Sequence, residues 1–126
     1  MTRPDRRRLC TKVGVLMKID KTLMSGSTTL LILSLLSGGE MYGYEIITEL
    51  AERSDKTFEL KEGTLYPLLH GLERDRYVES FEKASPQGRM RKYYRITKKG
   101  RGLLEEKEKE WNLFSQKVNQ VVYGFA

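Results

Sequence analysis

The hydrophobic period of this chain changes twice, and that order is its strongest constraint. From about residue 29 to residue 74 apolar residues recur at helical spacing. Over 77–97 they give way to β-branched and aromatic runs around a turn, and beyond 98 a seven-residue spacing takes over. Such a chain builds helices first, one hairpin next and a long helix last.

The first helix is predicted from TLLILSLL (29–36), the longest apolar run in the sequence. It falls well short of the roughly 20 residues a membrane span needs. Ser25-Gly26-Ser27 offers a serine cap before it, and SGGEMYGYE (37–45) breaks it with three glycines. A second helix follows, with Tyr44, Ile47 and Leu50 on its apolar face beside Ile46 and Ala51, and Glu45, Glu49 and Glu52 outward. It closes near Ser54-Asp55. A linker with Phe58 and Leu60 leads to a third helix, where Leu65, Leu68, Leu69 and Leu72 face the core. Pro67 lacks a backbone donor and sits best in a first turn, so a start as early as Glu62 predicts a kink.

YVESFEK (77–83) and RKYYRIT (91–97) read as two strands flanking ASPQGRM (84–90), whose Pro86 and Gly88 are turn residues. Tyr94 and Ile96 are expected to pack this hairpin on the core, with Tyr93 on the opposite face. Thr97 is a fitting N-cap for a helix running to about Tyr123. Along that helix Leu104, Trp111, Val118 and Phe125 recur every seven residues, Phe114 and Val121 are interleaved, and Lys107 interrupts the series. A stripe of this kind at the end of a small domain calls for a partner helix.

Chemistry narrows the function. One histidine, His70, and one cysteine, Cys10, lie 60 residues apart, so neither a Cys–His nucleophile nor a zinc-ligand spacing exists. No phosphate-binding glycine loop occurs, and no cofactor or metal is expected. The chain reads as a non-enzyme. A single cysteine suits a reducing compartment, and the expectation is a soluble cytoplasmic protein without membrane contact. Residues 1–16 lack helical periodicity and carry five cations against one carboxylate. They read as a disordered or artefactual extension, Met17-Lys18 resembling a translation start, or else as a basic arm for a phosphate backbone.

The net charge of +6 is not spread evenly. Residues 83–101 hold eight cations (Lys83, Arg89, Arg91, Lys92, Arg95, Lys98, Lys99 and Arg101) and no carboxylate. Three helices, a basic hairpin and a terminal helix make a winged helix-turn-helix, a mainly α fold with a β-hairpin. In it the third helix enters the major groove and the hairpin wing lies along the adjacent backbone. Cations on a wing gain free energy from phosphates largely by counterion release. The rival reading is a winged-helix adaptor that binds protein, with neither DNA nor effector. The predicted units are an extension over 1–24, the winged domain over 25–97 and a dimerisation helix over 98–126.

MYGYEI (41–46), EGTLYPLLHGLERDRYV (62–78) and GRMRKYYRITKKG (88–100) closely resemble the PadR family of bacterial transcriptional regulators, over roughly residues 25–123. The resemblance implies a winged-helix homodimer that usually represses promoters, often relieved by small molecules. It implies base- or phosphate-facing roles for Thr64 and Tyr66, with Lys61 beside them and Arg89, Arg91 and Lys92 on the wing. Tyr42 and Tyr44 are expected to be core and positioning residues, with Gly43 allowing close approach of two helices. The resemblance further implies a site for a planar hydrophobic molecule formed by Trp111, with Phe114 and Leu104. The dimer interface is expected along Trp111, Phe114, Val118 and Val121.

Overall fold

Asp20 starts the first described turn. In the computed structural model, which describes residues 19–124, its carboxylate accepts from the Thr22 amide at 2.8 Å and caps α1 (Lys21–Ser25). The expected boundary after residue 24 therefore falls inside a helix. The basic leader 1–16 and Phe125 lie outside the described residues.

Helix α2 (Thr28–Leu36) is apolar nearly all round, and Ile32, Leu33, Leu35 and Leu36 are buried. A helix of that composition can only be central. Ser27 stands at its N-cap, but its side chain makes no capping bond. A two-residue strand, β1 (Met41–Tyr42), then runs straight into α3 (Gly43–Arg53). Glu45 Oε1 accepts from the Tyr42 amide at 3.1 Å and fixes that entry.

The face that α3 buries differs from expectation. Gly43, Ile46 and Leu50 are inside, whereas Tyr44 is 63% exposed and is no core residue. The capped start at Tyr42 sets the helical phase, and Tyr44 falls on the outer side of it.

Helix α4 (Glu62–Arg74) buries Leu65, Leu69 and Leu72. It does begin at Glu62, so Pro67 lies past the first turn and leaves the Gly63 carbonyl without its helical donor. Gly63 and Pro67 are both exposed, so water can satisfy that carbonyl.

The wing is β2 (Val78–Ala84) and β3 (Met90–Ile96), paired antiparallel from Val78↔Ile96 to Ala84↔Met90. β1 adds to the other side of β3 through Met41↔Tyr94 and Tyr42↔Tyr93, giving the order β1-β3-β2. Strand alternation places Val78, Ser80, Tyr94 and Ile96 toward the helices and Phe81, Tyr93 and Arg95 away from them. Tyr93 is on the opposite face as expected, yet it is buried too, because the sheet has a layer of side chains on that side.

Thr97 caps α5 (Lys98–Tyr123), accepting from the Gly100 amide at 3.0 Å. Leu104 joins the core with Ile32, Leu36, Leu65 and Tyr94. The helix then leaves the domain, and Gly124, at φ 75°, ends it in a left-handed cap.

Candidate DNA interface

The N-terminal turn of α4 is the first candidate surface. Lys61 and Thr64 are exposed there, Lys61 occupying the N-cap position. Tyr66 is different. It is half-buried, and a Cβ added to Gly43 would collide with its hydroxyl and lie 2.8 Å from Cζ. Gly43 thus makes room for Tyr66 between α3 and α4, so the hydroxyl assigned to groove contact lies against α3.

The cations of the wing fall into two sets. On the outer face, Tyr93 stacks on Phe81 (6.0 Å between centroids, 23°) and meets Tyr42 edge-on (5.4 Å, 79°). A cation covers each ring: Arg91 lies 4.3 Å from Tyr42, Lys83 4.7 Å from Tyr93 and Arg95 4.6 Å from Phe81. Lys83 is bonded to Glu40, whose carboxylate holds the ammonium above its ordinary pKa. Arg95 pairs with Glu79 at 3.2 Å, and Arg91 Nε is buried without a hydrogen-bond partner.

The second set is freer. Arg89 is exposed at the tip, next to Gly88 at φ 87°, and has no ion pair or ring contact among the described residues. Lys92 is exposed on the helix-side face, 5.6 Å from the Tyr94 ring centroid. Alternation therefore separates Arg91 from Lys92, which the sequence had grouped with Arg89. Lys98 and Arg101 are exposed at the wing base, while Lys99 donates to the Asp75 carbonyl at 2.9 Å.

A further feature lies at the start of α5's exposed half. Trp111 and Phe114 (6.1 Å, 36°) are 45% and 54% exposed and form one side of a cavity of about 690 Å³. Its opposite side comes from Asp20, Thr22, Leu23, Gly26, Ser27 and Leu30. Lys107, which interrupts the heptad series, also lines it and pairs with Glu110 at 3.3 Å. Leu104 does not line it; it is buried in the core of its own domain, a correction to its expected place beside Trp111. Val118 and Val121 continue the stripe and are exposed. The Leu23 wall was missed, although Asp20 followed by Thr22 is a legible cap.

No group of residues suited to hold a metal ion occurs among the described residues, and no described helix is long and apolar enough to cross a membrane. His70 is exposed on α4, its ring tilted against Tyr66 at 6.4 Å.

Three helices and a hairpin wing with a basic surface make a winged helix-turn-helix. Residues 32–106 match the Transcriptional regulator PadR-like family, and the chain belongs to it. A PadR-like transcriptional regulator from Bacillus cereus is similar: 37% identical, TM-score 0.73, with 80% of this chain and 96% of that one covered. A PadR family transcription regulator from Clostridium difficile is 36% identical at TM-score 0.68, covering 76% and 98%. Transcriptional regulator Rv3488 of Mycobacterium tuberculosis is 37% identical over 75 residues, 60% of this chain and 66% of that protein. Membership implies DNA-binding regulation.

Proposed function

We propose that the chain acts in the cytoplasm as a homodimeric repressor whose hold on promoter DNA is relieved by a planar hydrophobic molecule. The observation that carries this reading is the outer half of α5. Its Trp111, Phe114, Val118 and Val121 stripe is exposed beside an open cavity, while the inner half, at Leu104, is already committed to the core. A second copy is the natural cover for Val118 and Val121, which continue the stripe past the cavity that Trp111 and Phe114 line. Trp111 and Phe114 offer flat apolar area at little cost in side-chain entropy, which suits a planar ligand. On the DNA side, Lys61 and Thr64 lead α4 while Arg89 and Lys92 lie on the wing, with Arg91 held closer to the sheet. Tyr66 supports the helix.

The test is binding of purified protein to duplex from upstream of its own gene, against a scrambled duplex, at two salt concentrations. A planar cationic dye is then added while Trp111, the only tryptophan, is followed by fluorescence. Preference for the native duplex, steep weakening with salt and dye-induced release are expected. Retained partner binding at high salt without any DNA shift would favour a protein adaptor. A dye that leaves the tryptophan signal unchanged refutes the effector site.

A further inference from the structure

One side-chain hydrogen bond between the reading helix and the wing serves neither DNA contact nor the cavity. Ser80, on the helix-side face of β2, donates its hydroxyl to Glu73 Oε2 at 2.5 Å. Glu73 is the next-to-last residue of α4, and both residues are half-buried. Directly across the sheet from Ser80 is Tyr94, 1% exposed, whose hydroxyl has no hydrogen-bond partner. Burial, then the Glu73 carboxylate and Tyr66, push that phenol above its ordinary pKa. Tyr66, two turns before Glu73 on the same face of α4, reaches Gly43 of α3. Ser80 and Glu73 thus join the wing to the reading helix, and Tyr66 separately packs that helix on α3.

The side chains around the Glu73–Ser80 bond (Leu69, Leu72, Val78 and Ile96) are apolar and buried. The Tyr77 amide donates to the Leu72 carbonyl at 2.8 Å and ties the base of the wing to α4, while apolar burial, being non-directional, constrains the wing further out less sharply. A charge-assisted hydrogen bond does fix an angle. We propose that Glu73 is a positioning residue for DNA recognition: through Ser80 it sets the angle of the wing against α4, so that both engage one duplex together. Glu73 is not a DNA contact, since a half-buried carboxylate would repel phosphate.

This rests on the DNA-binding reading, and the experiment separates the two. Wild type, Glu73→Ala and Glu73→Gln are compared for binding to the native upstream duplex and to the scrambled one. Both substitutions remove the same charge, but Gln keeps an acceptor for Ser80. Glu73→Ala is expected to lose about tenfold in preference for the native duplex, the size of one charge-assisted hydrogen bond, with its salt slope unchanged. Glu73→Gln is expected to recover most of that loss. Full preference in Glu73→Ala overturns the proposal. A wild type without preference refutes the DNA reading, and amide hydrogen exchange then decides. Faster exchange at Ser80 and Phe81 in Glu73→Ala, with α2 unchanged, upholds the positioning role. Unchanged wing exchange overturns it.

Discussion

Replacing Gly100 by Ala should destabilise the protein, whereas the same change two residues later should stabilise it. A Cβ at Gly100 would collide with the Tyr77 carbonyl oxygen and lie 2.8 Å from Ile96 Cγ1 and 3.0 Å from the Tyr77 carbonyl carbon. That carbonyl cannot retreat freely, because it accepts from both the amide and the hydroxyl of Thr97 at 3.0 Å. A Cβ at Gly102 meets nothing within 4 Å. Both substitutions gain about 0.5–1 kcal/mol by removing glycine's excess freedom within a helix. Only Gly100→Ala incurs overpacking, about 1–3 kcal/mol, and about 1 kcal/mol more for each Thr97 bond lost. The net expectation is a loss of about 2 kcal/mol for Gly100→Ala. Gly102→Ala should instead gain at least about 0.5 kcal/mol. Urea unfolding followed by far-ultraviolet circular dichroism reads both as shifts of midpoint at constant slope. Protein concentration is held fixed, since the proposed dimer would make the midpoint depend on it. If Gly100→Ala stabilises as much as Gly102→Ala, the close contact between α5 and the Tyr77 carbonyl, in the link between α4 and β2, is refuted.

Two further outcomes follow from the site. Arg89→Ala and Lys92→Ala should each weaken DNA binding and reduce its salt slope by about 1, one phosphate contact apiece. Lys83→Ala and Arg95→Ala, whose cations already pair with Glu40 and Glu79, should change the slope less; four equal slopes in titrations against salt would remove the distinction. Stability should also depend on alkaline pH through Tyr94, whose folded pKa is raised by burial first. Its contribution is complete below the unfolded value of about 10 and is lost as pH rises through the folded value, because the unfolded phenol ionises first. Tyr94→Phe should flatten that fall in unfolding measured from pH 9 upward, and an unchanged fall would assign it to other groups.

What could be read in the sequence depended on how many residues carried each signal. TLLILSLL and the leucines of α4 repeat often enough that one polar position does not blur the pattern, and both helices lie where the spacing put them. β1 is only Met41–Tyr42, too short for any period to register, and it exists because β3 offers it an edge. Tyr44 shows a subtler failure. On spacing alone it belongs with Ile47 and Leu50, but the Glu45–Tyr42 cap fixes the helical phase and turns it outward. Leu104 and Trp111 share one heptad stripe in sequence yet divide in space: Leu104 is buried in the core, while Trp111 faces a cavity between α5 and residues 20–30. A heptad pattern records which face is apolar and says nothing of what covers each part of it.

The basic window makes the same point about charge. Eight cations without a carboxylate look like a uniform patch, but the neutralising groups come from elsewhere in the chain. Glu40 reaches Lys83 across 43 positions because β1 joins the sheet, and Glu79 faces Arg95 across the hairpin register. Exposed ion pairs and exposed cation–ring contacts contribute little one at a time. Three rings and three cations share one face of a short sheet, however, so together they stiffen the wing. Stiffness favours DNA binding, since less motion is lost when the wing meets the backbone. Under the proposed DNA role, the outer-face cations are expected to act mainly through the wing they brace, and direct phosphate contact is expected of Arg89 at the tip and Lys92 on the helix side.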